Sequence, residues 1–121
     1  MLKGLDEQIA SIYAPIRDEL RLVEDRLRGL AQTERPYLEP LLDYVMTNGG
    51  KRLRPAITLL AADFYDHQPE TPRIMASAVE LLHVATLIHD DTVDSSDFRR
   101  GKATISSLWG RNAAVLVGDY I

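Results

Sequence analysis

Leu2, Leu5, Ile9, Ile12, Ile16, Leu20, Leu27 and Leu30 recur at steps of three and four, with one step of seven. That spacing returns again and again to one side of an α-helix, whose period is about 3.6 residues. It commits the start of the chain to amphipathic helix, with one stripe to bury and one face for water. Pro15 interrupts the stripe. A proline inside a helix removes a hydrogen bond and clashes with the carbonyl four residues back. A break near Tyr13–Ala14 is therefore expected, with Pro15 in the first turn of a second helix. The chain has 121 residues and a mass of 13.6 kDa, enough for one small domain with a buried core and too little for two.

The helical pattern continues almost throughout, so the predicted fold class is all-α. Residues 29–35 read as a connector, and a third helix is predicted from Pro36 to Thr47. Asn48-Gly49-Gly50 is a stop signal, because these residues tolerate the left-handed backbone of a helix end. Pro55 suits the first turn of a fourth helix reaching about Tyr65. Residues 66–70 form a loop. Thr71-Pro72 then reads as N-cap and first turn of a long helix from Pro72 to about Asp94. The polar stretch from Ser95 to Ala103 reads as loop, and Thr104 to Ile121 as helix with a break at Gly110. No internal repeat is present. The apolar run Ala113 to Val117 ends four residues before the last residue, Ile121. An apolar terminal helix needs a surface to cover it. The expectation is that these residues are the front part of a longer protein; the alternative is that the helix packs on its own domain.

Composition excludes several functions. With no cysteine, disulfides, zinc–thiolate sites and thiol nucleophiles are impossible. A formal net charge of -4 argues against a general nucleic-acid binder. The longest apolar run, Ala113 to Val117, is far short of the ~18 residues of a membrane span. Lys3, Asp6 and Glu7 stand where a signal peptide needs an apolar stretch, and a cytoplasmic location is expected.

The chemically richest stretch is His89-Asp90-Asp91-Thr92-Val93-Asp94. Asp90 and Asp94 are one helical turn apart on one face, with Asp91 between them. Three carboxylates that close repel one another, and the helix dipole disfavours negative charge at a C-terminal end. Folding asks for neither cost; a cation would offset both. Oxygen-only ligands suit Mg²⁺, which takes one or two carboxylates together with waters and phosphates. The plainer alternative is a solvated acidic helix end. A helix–loop–helix calcium site fails, because it needs glycine at its sixth position and glutamate at its twelfth. Counted from Asp90 those places hold Ser95 and Gly101, and counted from Asp94 they hold Arg99 and Ile105.

Two basic clusters answer the acids. Gly49-Gly50-Lys51-Arg52-Leu53-Arg54-Pro55 falls where one helix ends and the next begins. Its glycines let the backbone approach an anion, Lys51 and Arg54 offer a point charge and a planar fork to phosphate oxygens, and the helix N-terminus adds its dipole. Arg99-Arg100-Gly101-Lys102 follows the aspartates directly. Either cluster alone reads as a solvated face; together with the aspartates they are what a diphosphate site requires. The spacing is not that of a nucleotide-binding phosphate loop. His83 lies seven residues before Asp90, within about 20° of the same face, and can reach a second diphosphate. A packed core histidine is its plainer reading.

GGKRLRP at Gly49 to Pro55, ELLHVATLIHDDTVD at Glu80 to Asp94, and RRGKAT at Arg99 to Thr104 together resemble the trans-prenyltransferases, the all-trans polyprenyl diphosphate synthases. The resemblance spans nearly the whole chain and implies part of the helical bundle of the isoprenoid synthase type. It implies that Asp90, Asp91 and Asp94 hold Mg²⁺ on an allylic diphosphate and that Arg99 contacts the same diphosphate. It implies that Lys51, Arg54, His83 and Arg100 bind isopentenyl diphosphate. The implied reaction is ionisation, condensation and elimination, giving a polyprenyl diphosphate. Residues four and five before the first aspartate, Thr86 and Ala85, would set product length, and their small size resembles long-chain enzymes of the octaprenyl type. Thr86 is one turn below Asp90 and within about 40° of its face. The role of Ala85 rests on the resemblance alone.

The family bundle carries a second aspartate-rich motif in a later half that these residues lack, so the isolated chain is expected to be inactive. A homo-oligomer through the apolar C-terminal helix is also expected. Two other functions compete: a non-catalytic subunit packing against a complementary chain, and a class I terpene cyclase. The costly aspartates speak against the first. GGKRLRP speaks against the second, because a cyclase binds one diphosphate.

Overall fold

The computed structural model describes residues 2–32, 35–47 and 50–121. Asn48 and Gly49 of the predicted stop, and Thr33 and Glu34 of the predicted connector, lie outside them. Helix α1 (Leu2–Tyr13) gives way to a single 3-10 turn at Ala14–Ile16, and α2 runs from Arg17 to Ala31. The break is where Pro15 demands it, with Pro15 in the 3-10 turn itself. Ile16, next to the proline, is 2% exposed and pins the corner into the core. Of the predicted stripe, Ile16 and Leu27 are buried while Leu5, Ile12 and Leu30 are exposed; the buried face of α2 is Val23, Leu27 and Ala31 at steps of four. Helical geometry carries α2 two residues past Gly29, where the connector was expected to begin.

Helix α3 (Glu39–Thr47) starts three residues later than Pro36. A helix from Pro36 would need the N–H of residue 40, and Pro40 has none. The chain instead makes a turn in which the N–H groups of Leu38 and Glu39 both donate to the carbonyl of Arg35, at 3.0 and 3.2 Å. Helix α4 (Leu53–Ala62) holds Pro55 in its first turn as expected, but ends before Tyr65. Residues 63–65 tighten into three-residue hydrogen bonds, Tyr65 donating to Ala62 at 3.1 Å.

Helix α5 (Glu70–Val93) is the axis of the domain, packed against α2, α4 and the last helix. It begins at Glu70, so Thr71 is inside its first turn and is not the N-cap. Its buried positions include Pro72, Ala76, Glu80, Val84, Ile88 and Asp91, mostly four residues apart. The stretch after α5 is not all loop. Strands β1 (Phe98–Arg99) and β2 (Lys102–Ala103) pair antiparallel, with Phe98 opposite Ala103 and Arg99 opposite Lys102. Arg100 (φ 52) and Gly101 (φ 77) both take left-handed backbone, the turn whose twist suits a two-residue hairpin. Two-residue strands are too short to carry an alternating pattern, which is why the sequence does not reveal them.

Thr104 is the N-cap of α6 (Ile105–Trp109), accepting from the N–H of Ser107 at 3.2 Å and donating to the carbonyl of Ser96 at 2.8 Å. Gly110 (φ 94) makes the expected break, and α7 (Arg111–Tyr120) follows. Ala114, Val117 and Gly118 of α7 are buried, while Val115, Leu116 and Tyr120 stay exposed. The terminal helix therefore packs one face on its own domain. Gly118 lies against the ring of His89 on α5, which a Cβ there would have to push aside.

Candidate functional site: a cation-lined cavity beside an acidic helix end

A cavity of about 660 Å³ opens between the start of α4, the second half of α5 and the hairpin. Lys51, Arg54, His83, Asp91, Arg99 and Arg100 line it. These six come from three sequence segments, and the fold brings them to one hollow.

The start of α4 supplies two cations. Tyr13 donates its hydroxyl to the carbonyl of Lys51 at 3.0 Å, and Lys51 Nζ lies 3.4 Å from Asp6 Oδ1. Arg54 Nη1 sits 3.1 Å from His83 Nε2. An arginine can only donate, so His83 Nε2 accepts and its proton is on Nδ1. Burial holds the His83 pKa below the ordinary histidine value, and the Arg54, Arg100 and Arg99 charges add to the depression against the opposing charge of Glu80. His83 is therefore neutral near pH 7, ready to accept from Arg54.

The hairpin supplies the other two. Arg99 donates through Nε to both oxygens of Asp91 at 3.0 Å and through Nη2 to Oδ1 at 2.8 Å. These bonds raise the Arg99 pKa above the ordinary arginine value against the cost of its partial burial, and the charges of Asp91, Asp90 and Asp94 add to the rise. Arg100 folds back over Gly50, where a Cβ would lie 2.9 Å from the arginine's Cζ. A side chain at position 50 would therefore have to push the exposed Arg100 guanidinium aside; the sequence reading gives this glycine to the approach of an anion instead.

The acidic trio does not converge. Asp91 is buried at 7% exposure and faces the cavity, paired with Arg99. Asp90 and Asp94 are exposed and do not line the cavity. Asp94 caps α5, its N–H donating to the carbonyl of Asp90 at 2.9 Å. Among the described residues no three His, Cys, Asp or Glu side chains gather as a metal requires. Asp90 and Asp94, one turn apart with oxygen donors only, suit Mg²⁺ as a pair that leaves room for water and phosphate. Thr86 is exposed and donates its hydroxyl to the carbonyl of His83 at 2.7 Å; Ala85 is half-buried; neither lines the cavity.

Three residues escaped the sequence reading. Arg52, grouped there with a solvent-facing cluster, is buried and paired with Glu24 and Glu80. The available signal was the stripe itself: Glu80 falls between Ala76 and Val84, both buried, at steps of four. A carboxylate on a core stripe needs a buried partner, and Arg52 is that partner.

The helical bundle, with its cation-lined cavity beside an Asp-rich helix end, has the isoprenoid synthase class of fold, shared with solved heptaprenyl and decaprenyl diphosphate synthases. The family model for polyprenyl synthetase matches residues 35–121. The chain belongs to this polyprenyl synthetase family. It is 38% identical over 114 residues to heptaprenyl diphosphate synthase component 2 of Geobacillus stearothermophilus, covering 94% of this chain and 36% of that protein. It is 49% identical over 78 residues to octaprenyl diphosphate synthase of Escherichia coli (strain K12), covering 64% of this chain and 24% of that one. A decaprenyl diphosphate synthase structure from Rhodobacter capsulatus superposes with a TM-score of 0.83 at 36% identity, over 93% of this chain and 35% of that one. The match thus spans about a third of the length of the Geobacillus and Rhodobacter proteins and about a quarter of the Escherichia coli one. No helix among the described residues is long and apolar enough to cross a membrane.

Proposed function

We propose that this chain carries one diphosphate-binding wall of a prenyl transferase, which joins isopentenyl diphosphate head-to-tail to an allylic diphosphate to make a long-chain polyprenyl diphosphate. One observation carries the reading: Lys51, Arg54, His83, Arg99 and Arg100 line a single cavity. Lys51, Arg54, His83 and Arg100 would bind the diphosphate of isopentenyl diphosphate, the arginines as planar forks and the lysine as a point charge. Arg99 would contact the allylic diphosphate and stabilise the charge that grows on it as the carbon–oxygen bond breaks. Asp90 and Asp94, with Asp91 between, would hold Mg²⁺. When bound, Mg²⁺ neutralises diphosphate oxygens as a Lewis acid. The isopentenyl double bond then attacks the allylic cation, and loss of a proton completes the new unit. Ala85 and Thr86, both small, would set product length, Thr86 from one turn below Asp90 and Ala85 on the family resemblance alone.

Calorimetric titration of the 121-residue chain with inorganic pyrophosphate, with and without magnesium, tests the reading. Saturable binding that Lys51→Ala and Arg54→Ala weaken supports it; no binding, or binding indifferent to both substitutions, overturns it. The 121 residues by themselves are proposed not to turn over. Clear incorporation of labelled isopentenyl diphosphate would refute that. Self-association is proposed through α7, whose Val115, Leu116 and Tyr120 are exposed; a monomer by sedimentation at micromolar concentration counts against it.

One observation favours a second reading. The Geobacillus relative is named as one component of its synthase. On that reading the chain acts as a subunit of a two-component enzyme. Co-purification of a complementary chain with it, rather than of a second copy, separates the two.

A further inference from the structure

Between Lys51 and Arg54 stands a cation whose side chain is turned into the protein. Arg52 is 7% exposed. Its Nη1 is 2.9 Å from Glu80 Oε1 on α5, its Nη2 is 2.8 Å from the carbonyl of Met46 on α3, and its Nε donates to the carboxylate of Glu24 on α2. One guanidinium thus ties together three helices. Its backbone is left-handed, φ 55 and ψ 40, at the N-cap of α4. That region is uncommon for any residue but glycine and persists where the surroundings over-determine it. The carbonyl of Arg52 accepts the hydrogen bond of Ala56 at 3.0 Å, so this residue also sets where α4 begins.

We infer that Arg52 is a positioning residue: its buried pairing with Glu24 and Glu80 fixes the left-handed turn that sets Lys51 and Arg54 at the wall of one cavity. A buried ion pair is a poor source of stability, and apolar side chains of similar volume often do as well or better. Orientation is what it supplies. Helix α5 shows this, because Glu80, the anchor of Arg52, lies one turn before His83, the partner of Arg54. The start of α4 is therefore held to α5 by two adjacent rungs along the cavity wall, the buried Arg52–Glu80 pair and the more exposed Arg54–His83 pair. The inference rests on the assignment of Lys51 and Arg54 to diphosphate binding.

The test uses the whole chain with Arg52→Met, Glu80→Gln and, as ligand-contact controls, Lys51→Ala and Arg54→Ala. Two readouts are taken: pyrophosphate affinity by calorimetry, and amide hydrogen exchange resolved by residue. The expected result for Arg52→Met is cooperative unfolding at a lower midpoint, because Glu80 is left buried without its partner, faster exchange greatest at residues 51–56, and pyrophosphate binding weakened about tenfold. Exchange and affinity equal to the parent overturn the inference. Should Arg52→Met fail to fold, Glu80→Gln, which keeps the Glu24 pairing, carries the same expectations and the same refutation. Pyrophosphate binding that ignores Lys51→Ala and Arg54→Ala sinks the diphosphate assignment instead. The exchange at residues 51–56 still decides whether Arg52 holds the turn.

Discussion

Arg99 lies along the carboxylate of Asp91, with Nε 3.0 Å from both oxygens and Nη2 2.8 Å from one of them. Asp91 is buried and the guanidinium is half-exposed. Removing the arginine leaves a desolvated charge without its partner. Arg99→Gln should cost about 1–2 kcal/mol, limited by solvent screening of the exposed guanidinium. Asp91→Asn keeps the shape, removes the charge and should cost less. Urea denaturation of the two variants checks the order.

The other two aspartates should behave oppositely. Asp90 and Asp94 are exposed at the negative end of the α5 dipole. Asp90→Asn and Asp94→Asn should leave stability unchanged or raise it by about 0.3–1 kcal/mol. The same substitutions should weaken pyrophosphate binding about tenfold or more in magnesium and leave it little changed without the metal. Thermal unfolding and paired calorimetric titrations measure both halves of the claim.

His83 gives the fold a pH dependence of definite sign. Its folded pKa is depressed, by burial first and by Arg54 next. The unfolded chain, with a histidine pKa of about 6.5, takes up the proton first as pH falls. The contribution is fully present above that value and is lost as pH falls through the window between the unfolded pKa and the lower folded one. The unfolding midpoint should drop across that window in the parent and drop less in His83→Asn. Diphosphate binding should raise the His83 pKa, so binding there should take up protons, visible as a buffer-dependent enthalpy.

Gly118 is the contact point of α7 and α5. The ring of His89 fills the space a Cβ would take, and its Nε2 is 3.2 Å from the carbonyl of Val115. His89 is half-exposed and can swing away at the cost of that contact and of its approach to Asp119 Oδ1 at 3.2 Å. Gly118→Ala should therefore cost about 1 kcal/mol. Gly118→Leu, too large for the same escape, should cost about 1–3 kcal/mol. Thermal unfolding distinguishes them.

Much of this molecule can be read from its sequence. The apolar stripe, Pro15 and Gly110 place the helix breaks because each acts on the backbone within one turn of itself. The cations and His83 meet in one cavity because α5 presents residues 80, 83, 84, 87, 88 and 91 along adjoining faces. What could not be read depends on partners distant in sequence. Arg52 looks like Lys51 and Arg54 until Glu24 and Glu80, 28 residues away on either side, are brought to it. Asp91 separates from Asp90 and Asp94 because one residue is a 100° rotation on a helix, enough to turn a carboxylate from solvent into the core. The hairpin at 98–103 is too brief for any periodicity to announce it.

That hairpin turns on two residues only, Arg100 and Gly101. Its flanks are fastened on both sides, by Arg99 to Asp91 and by Ala103, whose carbonyl accepts from the hydroxyl of Tyr44 at 2.5 Å. A turn clamped so close has no slack: one added residue would swap which side of the ribbon each cation occupies. The segment 66–69, exposed and lying between the turn that follows α4 and the start of α5, has no such clamp. Anyone splicing a fluorophore tag or an affinity handle into this protein should choose the second place, where extra length costs little, and leave the first at its native count.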